Sequence, residues 1–380
     1  MNKPDRETAM KKIFRRVLIG IGFVMGLVIV LSIAFFGFLT VTEYRPADIV
    51  KLEIQYHGSA AQQAESAQPV PAMKRPSLGI PFSIFSWNIG YASLDESQDF
   101  FMDGGKGVMP ASDENVKRNL AGIRETIARS DCDVVNIQEA DIASRRSYYI
   151  DQRAYLAANF SGTSVFAPNY RCLFVPIPFP DFIGRVSSGI LTLNRFETSE
   201  AVRVSLPNPF SWPTRTANLK RCLLVNRLPL ENSGAELVIV NLHLEAYDTS
   251  GGREAQTKAL LDLLNQEYAK GNYCIAGGDF NQNFPGIDPV RFAVKESGYF
   301  VPGTLSPSLL AKGWQFAVDK ETPSCRLLNK PYSGNPDDTQ FYVIDGFILS
   351  PNVKLIGINT LDLGFKNSDH NPVRMEVSLE

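Results

Sequence analysis

The feature that most constrains this chain is an uninterrupted apolar stretch near its N-terminus. No residue from 17 to 41 carries a charged side chain. A helix of that length extends about 37 Å, enough to cross a hydrocarbon core of about 30 Å with some tilt. A cleaved signal peptide has a shorter apolar part and a small-residue cleavage site, which the phenylalanine-rich end of this stretch lacks. The sequence therefore predicts an uncleaved transmembrane helix over residues 17–41.

The charges in front of this helix predict its orientation. The basic residues among positions 1–16 are Lys3, Arg6, Lys11, Lys12, Arg15 and Arg16, and the acidic ones are Asp5 and Glu7. Cationic flanks stay on the cytoplasmic side of a membrane. We therefore expect a single-pass plasma-membrane protein with a cytoplasmic tail over residues 1–16 and an extracytoplasmic remainder.

The part of the chain beyond residue 16 is mildly acidic. It contains 32 Lys+Arg and 38 Asp+Glu, a net charge near −6. Proteins that grip many phosphates of a nucleic acid usually present a basic face. The balance argues against a long polyanionic substrate, although the total charge leaves a local basic patch open.

Composition divides this exported part in two. Residues 58–77 are rich in Ala, Gln, Ser and Pro, which is typical of a flexible spacer. We predict a linker over residues 42–80 and one folded domain over residues 81–380.

Cysteine usage sets a further limit. The cysteines are Cys132, Cys172, Cys222, Cys274 and Cys325. None belongs to a C-x-x-C pair, which argues against a thiolate zinc site. Outside the cytoplasm one or two disulfides can form, and the odd count leaves at least one free thiol. Cys132 and Cys274 lie in or beside apolar runs, so we expect them to be buried.

From about Pro81 onwards, apolar strand-like runs alternate with helical segments. FSIFSWN at 82–88 and DVVNIQ at 133–138 are the first runs. After Ser112, a residue type that starts helices, Val116, Leu120 and Ile123 recur at helical spacing. About ten strands with few helices predict one large α/β domain with a sheet-on-sheet core.

Polar residues interrupt the ends of these apolar runs. They are Asn88, Gln138, Glu139, His243, Asp279, Asn281, Asp345, Asp369 and His370. Most of them have an ordinary alternative explanation, such as a turn, a solvated carboxylate or a satisfied core histidine. Asp345 differs, because a carboxylate within an apolar strand needs a partner or a metal.

Taken together, these residues supply hard oxygen ligands and two imidazoles. Mg²⁺ prefers one or two carboxylates together with water and substrate phosphate. Histidine transfers protons near neutral pH. The combination therefore predicts a magnesium site beside a proton-transfer group.

The motifs SWN, QE, NLH, GGDFN, an Asp within a strand and SDHNP follow one another in this order. This order resembles the endonuclease/exonuclease/phosphatase superfamily, which includes deoxyribonucleases, abasic-site endonucleases, neutral sphingomyelinases and inositol-polyphosphate 5-phosphatases. The resemblance covers residues 82–379. It implies a four-layer αββα sandwich that hydrolyses phosphoesters with Mg²⁺, or alternatively Mn²⁺, as cofactor.

The resemblance also implies a role for each matching residue. Glu139 corresponds to the main metal carboxylate, with Asn88 and Asp369 beside it. Asp279 and Asn281 correspond to the pair that holds the attacking water and the phosphate. His370 corresponds to the acid/base histidine that Asp345 orients, and His243 to the histidine that holds the scissile phosphate or assists the leaving group. Either Asp279 or His370 takes the proton from water.

Two details separate this chain from particular subgroups. Some nucleases of the superfamily carry an acidic residue two positions after the first Asn, where this chain has Gly90, and its absence weakens a second metal contact there. The segments GGDFNQN and YVIDGFIL differ from the corresponding motifs of the inositol 5-phosphatases. That subgroup is therefore disfavoured.

Two features favour a lipid substrate. The domain is tethered to a bilayer, and residues 173–183 (LFVPIPFPDFI) form an apolar, proline-rich segment that is too broken for a normal strand. Its Phe174, Phe179 and Phe182 either enter a membrane interface or pack over the domain core. Arg145 and Arg146 follow Glu139 and either contact a phosphate or stay solvated.

The leading hypothesis is hydrolysis of a phosphodiester in a membrane lipid or its headgroup, as in neutral sphingomyelinases or glycolipid-processing relatives. The second is a membrane-tethered nuclease that acts on extracytoplasmic nucleic acid. The third is a catalytically inactive binding module, which the intact acidic and histidine set disfavours. No protein partner is implied.

Overall fold

The computed structural model describes residues 3–58, 73–247 and 251–380. Its α-helices are α1 (Lys3–Val41), α2 (Asp113–Ser130), α3 (Gln152–Ala157) and α4 (Gly252–Ala269). The first strands are β1 (Ile49–Lys51), β2 (Gln55–His57), β3 (Phe82–Asn88), β4 (Val134–Asp141), β5 (Gly162–Val175), β6 (Gly184–Asn194), β7 (Glu200–Ser205), β8 (Cys222–Pro229) and β9 (Glu236–His243). They are followed by β10 (Tyr273–Asp279), β11 (Gln282–Asn283), β12 (Gly303–Thr304), β13 (Gln315–Ala317), β14 (Cys325–Arg326), β15 (Phe341–Tyr342), β16 (Asp345–Leu349), β17 (Val353–Thr360) and β18 (Val373–Leu379).

Two large sheets organise the described part of the chain. Sheet I has the strand order β17-β18-β3-β4-β6-β5-β2, and sheet II has the order β1-β7-β8-β9-β10-β16-β13. A parallel pair lies near the centre of each sheet, β3 with β4 and β9 with β10. Because parallel neighbours end at the same edge of a sheet, the carboxyl ends of each pair lie together.

The sheets pack face to face, with helices on both outer faces. Ile84 and Met375 of sheet I and Ile239 and Ile275 of sheet II belong to the apolar layer between the sheets. Apolar side chains of α2 and α3 cover the outer face of sheet I, and those of α4 cover sheet II. Burial of these three apolar layers drives the stacking. The predicted α/β fold, a four-layer αββα sandwich, is confirmed.

The prediction of a linker over residues 42–80 is wrong for residues 49–57. β1 pairs with β7 at one edge of sheet II, and β2 pairs with β5 at one edge of sheet I. Both sheets therefore take an edge strand from the stretch after α1, because pairing satisfies backbone groups that an open sheet edge leaves unpaired. Residues 59–72 of the predicted spacer lie outside the described residues.

α1 is continuous through the predicted transmembrane segment. Its part from Met10 to Val41 is long and apolar enough to cross a membrane, judged by length and composition. Near its end α1 contacts the domain: the Phe36 ring lies 5.7 Å from the Trp212 ring, and Trp212 Nε1 donates to Thr40 Oγ1 at 3.0 Å. Leu39 is buried in this contact. The end of the helix is therefore packed against the folded domain.

The cysteines are all buried and free, so the disulfides considered above do not form. The expectation that Cys132 and Cys274 are buried is confirmed. Asp345 is the first residue of β16 and does not lie in the middle of a strand. The reason is that the backbone N–H groups of Ile344 and Asp345 both donate to Ser324 Oγ, at 3.0 and 3.1 Å.

A bulge near the end of β4 sets Glu139 apart from its neighbours. The register between β4 and β6 shifts between Ile137 and Ala140. Glu139 has φ 57°, in the left-handed region that non-glycine residues rarely adopt. A bulge of this kind redirects a side chain at the end of a strand.

A side chain of the other sheet forms hydrogen bonds with the polar groups at this bulge. Asn241 of β9 donates through Nδ2 to the carbonyl oxygens of Ile137 and Leu191, at 3.2 and 2.9 Å. Its Oδ1 accepts from Gln138 Nε2 at 2.8 Å. All these groups are buried, where an unpaired polar group is costly. Asn241 therefore couples sheet II to the bulge that carries Glu139.

We predict that Asn241→Leu lowers the free energy of unfolding by about 3 kcal/mol, because it removes three buried hydrogen bonds, two to backbone carbonyls and one from the Gln138 amide. Asn226 of β8 is the matched control: it is equally buried, and its amide has no hydrogen-bond partner in the described structure. Asn226→Leu is expected to be neutral or stabilising by about 1 kcal/mol. Urea unfolding of the detergent-solubilised chain measures both. Equal losses in the two variants would contradict the role given to the Asn241 bridge.

Candidate active site

The strand ends converge at one edge of the sandwich. β3 ends at Asn88, β9 at His243 and β10 at Asp279, and Asp279 pairs in register with both His243 and Asp345. β18 begins shortly after His370 and runs antiparallel to β3. The strand order thus brings together residues that are up to about 280 positions apart in the sequence.

Asp279 is the centre of this cluster. Its Oδ2 accepts from Asn88 Nδ2 at 3.0 Å and lies 3.4 Å from His243 Nε2 and 3.9 Å from His370 Nε2. Its Oδ1 accepts the backbone N–H of Asn281 at 2.8 Å. Burial, followed by the negative charge of Asp345, raises the pKa of Asp279 to about 7. The carboxylate is therefore balanced between its two protonation states near neutral pH.

Asn281 holds the turn that follows Asp279. It has φ 51°, and its Nδ2 donates to the carbonyl of Leu244 at 2.8 Å. Asparagine tolerates this left-handed conformation better than most residues do. Both Asn281 and Asp279 line the same cavity.

His370 and Asp345 form a buried pair. His370 Nδ1 lies 2.8 Å from Asp345 Oδ2, which leaves Nε2 directed towards Asp279 and Asp369. Burial disfavours the imidazolium, but the surrounding acidic groups, Asp345 foremost and Asp369 among them, together outweigh it and hold the pKa of His370 well above its ordinary value. His370 is therefore a charged imidazolium near neutral pH, with a fixed ring orientation.

His243 has the opposite character. Burial, with the positive charges of Arg221 and His370, holds its pKa well below the ordinary value. The imidazole is therefore neutral. Its Nε2 faces the carboxylates of Asp279 and Glu139, at 3.4 and 3.8 Å. These acceptors favour the tautomer that carries its proton on Nε2.

Glu139 and Asp369 complete the acidic side of the cluster. Glu139 keeps about a quarter of its side chain exposed to the cavity (24%). Burial raises the pKa of both carboxyl groups. Ser368 Oγ donates to the carbonyl of Asn88 at 2.8 Å, which joins the segment that carries Asp369 to the end of β3.

This donor set fits a hard divalent cation. Within the described part of the chain, no lysine or arginine forms an ion pair with Glu139 or Asp369. The cation that faces Asp369 is His370, at 3.9 Å, and buried carboxylates with so little balancing charge are costly unless they are protonated or bind a metal. Cys325 lies close to Asp369 and His370, but burial raises the pKa of its thiol to about 12. The thiol stays protonated, so oxygen atoms are the natural ligands.

Gly90 lies directly against the acidic side. A Cβ atom at this position would lie 2.7 Å from Asp369 Oδ1 and 3.0 Å from Leu94 Cβ, and φ is +48°. The Gly90 N–H also donates to Asn88 Oδ1 at 3.1 Å. The side chain that some nucleases carry here therefore has no room while Asp369 keeps this position.

The structure separates the two arginines that follow Glu139. Arg146 is buried, makes a two-pronged ion pair with Asp141 at 3.0 and 3.1 Å, and stacks on the Tyr91 ring at 3.7 Å. It lines the cavity. Arg145 instead pairs with Asp181 at the surface, at 3.0 Å.

Arg221 and Glu245 form a buried pair next to His243, and no sequence motif predicted it. Arg221 donates from Nη1 to the carbonyl of His243 at 3.2 Å and from Nε to Glu245 Oε2 at 3.1 Å. The N–H of Ala246 donates to Glu245 Oε1 at 3.1 Å. This buried network fixes the end of β9, and only the tertiary fold brings its members together.

A cavity of about 520 Å³ extends from this cluster to the end of α1. Asn88, Glu139, His243, Asp279, Asp369 and His370 line it at one end. Phe35, Phe36 and Leu39 of α1 line it as well, together with Val175, Ile177, Ile183 and Phe210. The polar cluster therefore shares one continuous space with an apolar wall that includes the end of α1.

Comparison with known proteins supports the family resemblance that the order of the motifs indicated. The family model of the endonuclease/exonuclease/phosphatase family matches residues 85–353. No curated protein matches the sequence.

Solved structures share the fold at low sequence identity. An endonuclease/exonuclease/phosphatase from Beutenbergia cavernae is 18% identical, with a TM-score of 0.53, over 80% of this chain and 72% of that one. A conserved protein of unknown function from Enterococcus faecalis is 18% identical, with a TM-score of 0.50, over 78% and 100%. ANGEL2, a 2′,3′-cyclic phosphatase solved with adenosine-2′,3′-vanadate, is 14% identical, with a TM-score of 0.50, over 87% and 99%. At these identities the likeness concerns the fold.

We predict that Gly90→Ala weakens divalent-metal binding, because the new Cβ displaces the Asp369 carboxylate. Strain at positive φ should also cost about 1 kcal/mol of stability. Gly364→Ala is the matched control: Gly364 has φ +61°, but a Cβ atom there would meet no atom of the described structure within 4 Å beyond its chain neighbours. Calorimetric titration with Mg²⁺ and Mn²⁺ should show weaker binding for Gly90→Ala alone. Wild-type metal affinity in Gly90→Ala would contradict this account of the site.

Proposed function

Because the chain belongs to the endonuclease/exonuclease/phosphatase family, we propose that it is a metal-dependent hydrolase that cleaves phosphodiesters of membrane lipid headgroups. α1 anchors it in the plasma membrane with the N-terminus in the cytoplasm, and the domain after the helix works on the outer face. The family's metal-dependent phosphoester hydrolysis and the polar cluster support the reaction class. The observation that supports a lipid is the cavity, which joins this cluster to Phe35, Phe36 and Leu39 of α1.

Glu139, Asn88 and Asp369 are the proposed metal-binding residues. A bound Mg²⁺ or Mn²⁺ would neutralise negative charge on the phosphoryl oxygens. Asn88 hydrogen-bonds to both Asp279 and Gly90. The Asn88 amide thereby fixes the position of Asp279 relative to the proposed metal-binding residues.

Asp279 is the proposed general base. Its pKa of about 7 allows it to accept a proton from the attacking water near neutral pH. His370 is unsuited to that step, because Asp345 keeps it protonated. As the water oxygen forms its bond to phosphorus and the ester P–O bond breaks, the water proton passes to Asp279, and His370 gives a proton to the departing oxygen.

Neutral His243 has a different proposed task. Its Nε2–H donates to a phosphoryl oxygen and stabilises the charge that grows there in the transition state. The Arg221 network holds the strand end that carries it. Arg146 also lines the cavity, and its Nη1, which makes no hydrogen bond in the described structure, is a donor for a headgroup oxygen.

The apolar part of the cavity wall separates the lipid proposal from the nuclease alternative. A lipid presents a phosphodiester next to apolar chains, which matches a polar cluster beside phenylalanine and leucine side chains. Nucleic acid presents one phosphate after another and favours a basic groove. The acidic exported part, with 32 Lys+Arg against 38 Asp+Glu, does not favour that class.

We expect the full chain in detergent micelles to release a phosphorylated headgroup from sphingomyelin or phosphatidylinositol when Mg²⁺ or Mn²⁺ is present. Supercoiled DNA and a chromogenic phosphodiester are tested beside the lipids. His370→Ala should lower every genuine hydrolysis by about 10²–10⁴-fold, as loss of an acid/base group does.

The controls separate the alternatives. His57→Ala is the matched control, because this histidine of β2 bonds to Ser164 at the edge of sheet I and does not line the cavity, and it should retain activity. DNA cleavage without lipid cleavage would replace the lipid proposal with a tethered nuclease. Metal binding without turnover of any substrate would identify a binding module.

A further inference from the structure

We propose that residues 173–183, called the rim segment below, insert into the outer boundary of the bilayer beside α1. The cavity then opens at the depth where lipid headgroups meet acyl chains. This inference rests on the proposed function, and it adds the membrane surface that the enzyme binds and the side from which its substrate enters. The rim segment begins with the last residues of β5 and ends just before β6.

A chain of aromatic contacts connects α1 to the rim segment. The ring of Phe35 lies 6.4 Å from that of Phe174, and Phe174 lies 5.3 Å from Phe182. Phe182 lies 5.9 Å from Phe179. Edge-to-face contacts at these distances are attractive. The rim segment is therefore an apolar continuation of the membrane helix.

The contact with Phe35 sets the depth of the rim segment. Crossing a hydrocarbon core of about 30 Å takes about 20 helical residues, so a span that starts at Val17 ends close to Phe36. Phe35 also lies about 9 Å below the end of α1 at Val41. Phe174, which contacts Phe35, therefore lies at the outer boundary of the hydrocarbon core.

The outward side of the rim segment is unusually apolar for a solvated loop. Phe179 is 86% exposed and Leu173 is about half exposed, and neither lines the cavity. The rim's carboxylate, Asp181, is paired with Arg145 at 3.0 Å. A contiguous apolar surface next to a membrane helix is explained by insertion, because transfer of these side chains out of water is favourable.

The inward side of the same segment lines the cavity. Val175, Pro176 and Ile183 contribute to its wall, as do Phe35 and Phe36 of α1. Trp212 contacts Phe36, the next residue of α1, and is half exposed, with its indole N–H bonded to Thr40. Tryptophan favours the membrane–water interface. Lipid can therefore move sideways from the bilayer into the cavity without crossing water.

Fluorescence on the full chain in phosphatidylcholine vesicles tests the insertion without reference to activity. Phe179→Cys carries an environment-sensitive dye, and the native cysteines do not compete because all are buried. Ile356→Cys is the control: Ile356 is also exposed, on β17 at the opposite edge of sheet I from β5 and β2. We expect quenching by spin-labelled lipid at position 179 and not at 356. Equal, weak quenching at both positions would overturn the proposal.

A kinetic comparison tests the consequence for the substrate. Phe179→Ser should lower turnover of vesicle lipid by about 5-fold or more, because the rim segment beside the cavity loses apolar surface that it buries in the bilayer. Turnover of a water-soluble chromogenic diester should not change, and Ile356→Ser should affect neither. Unchanged vesicle turnover in Phe179→Ser would contradict the entry route. Quenching at position 179 with no hydrolysis of any substrate would refute the proposed function and leave the membrane insertion supported. Hydrolysis of lipid without quenching at position 179 would support the proposed function and refute the insertion.

Discussion

The geometry of the cluster depends on hydrogen bonds that cross from one sheet to the other. At the strand ends, Asn88 of sheet I donates to Asp279 of sheet II. Deeper in the core, Asn241 of sheet II supports the bulge of sheet I. Apolar burial pulls the sheets together but has no direction. These polar contacts fix how the sheets are placed against each other, and with it the distance between the acidic side and the two histidines.

The two histidines differ in charge because their surroundings differ. Both are buried, which alone favours the neutral ring. His370 gains a carboxylate partner in Asp345 and stays charged. His243 has Arg221 behind it and stays neutral. One residue type thus supplies both a charged and a neutral imidazole within a single cavity.

Much of the fold and of the cluster was predictable from local patterns. Apolar runs and helical spacing marked the strands and helices, and the polar residues at the ends of those runs are brought together by the structure. Their catalytic and metal-binding roles remain predictions. Residues 49–57 were missed as strands because each strand is only three residues long and is held by its neighbours. Arg145 and Arg146 are adjacent in sequence, so only packing decides that one lines the cavity and the other does not.

The sequence alone determined an N-terminal helix long and apolar enough to cross a membrane, the α/β class and the family, because each depends on composition or on residues at fixed local spacing. The tertiary structure decided which residues that are distant in the sequence lie next to each other. The contact of Phe35 with Phe174 joins positions that are 139 residues apart, and no local pattern encodes such a distance. The joining of the polar cluster and the end of α1 in one cavity is likewise a result of packing. For that reason the closeness of the polar cluster to the end of α1 is visible only in the folded chain.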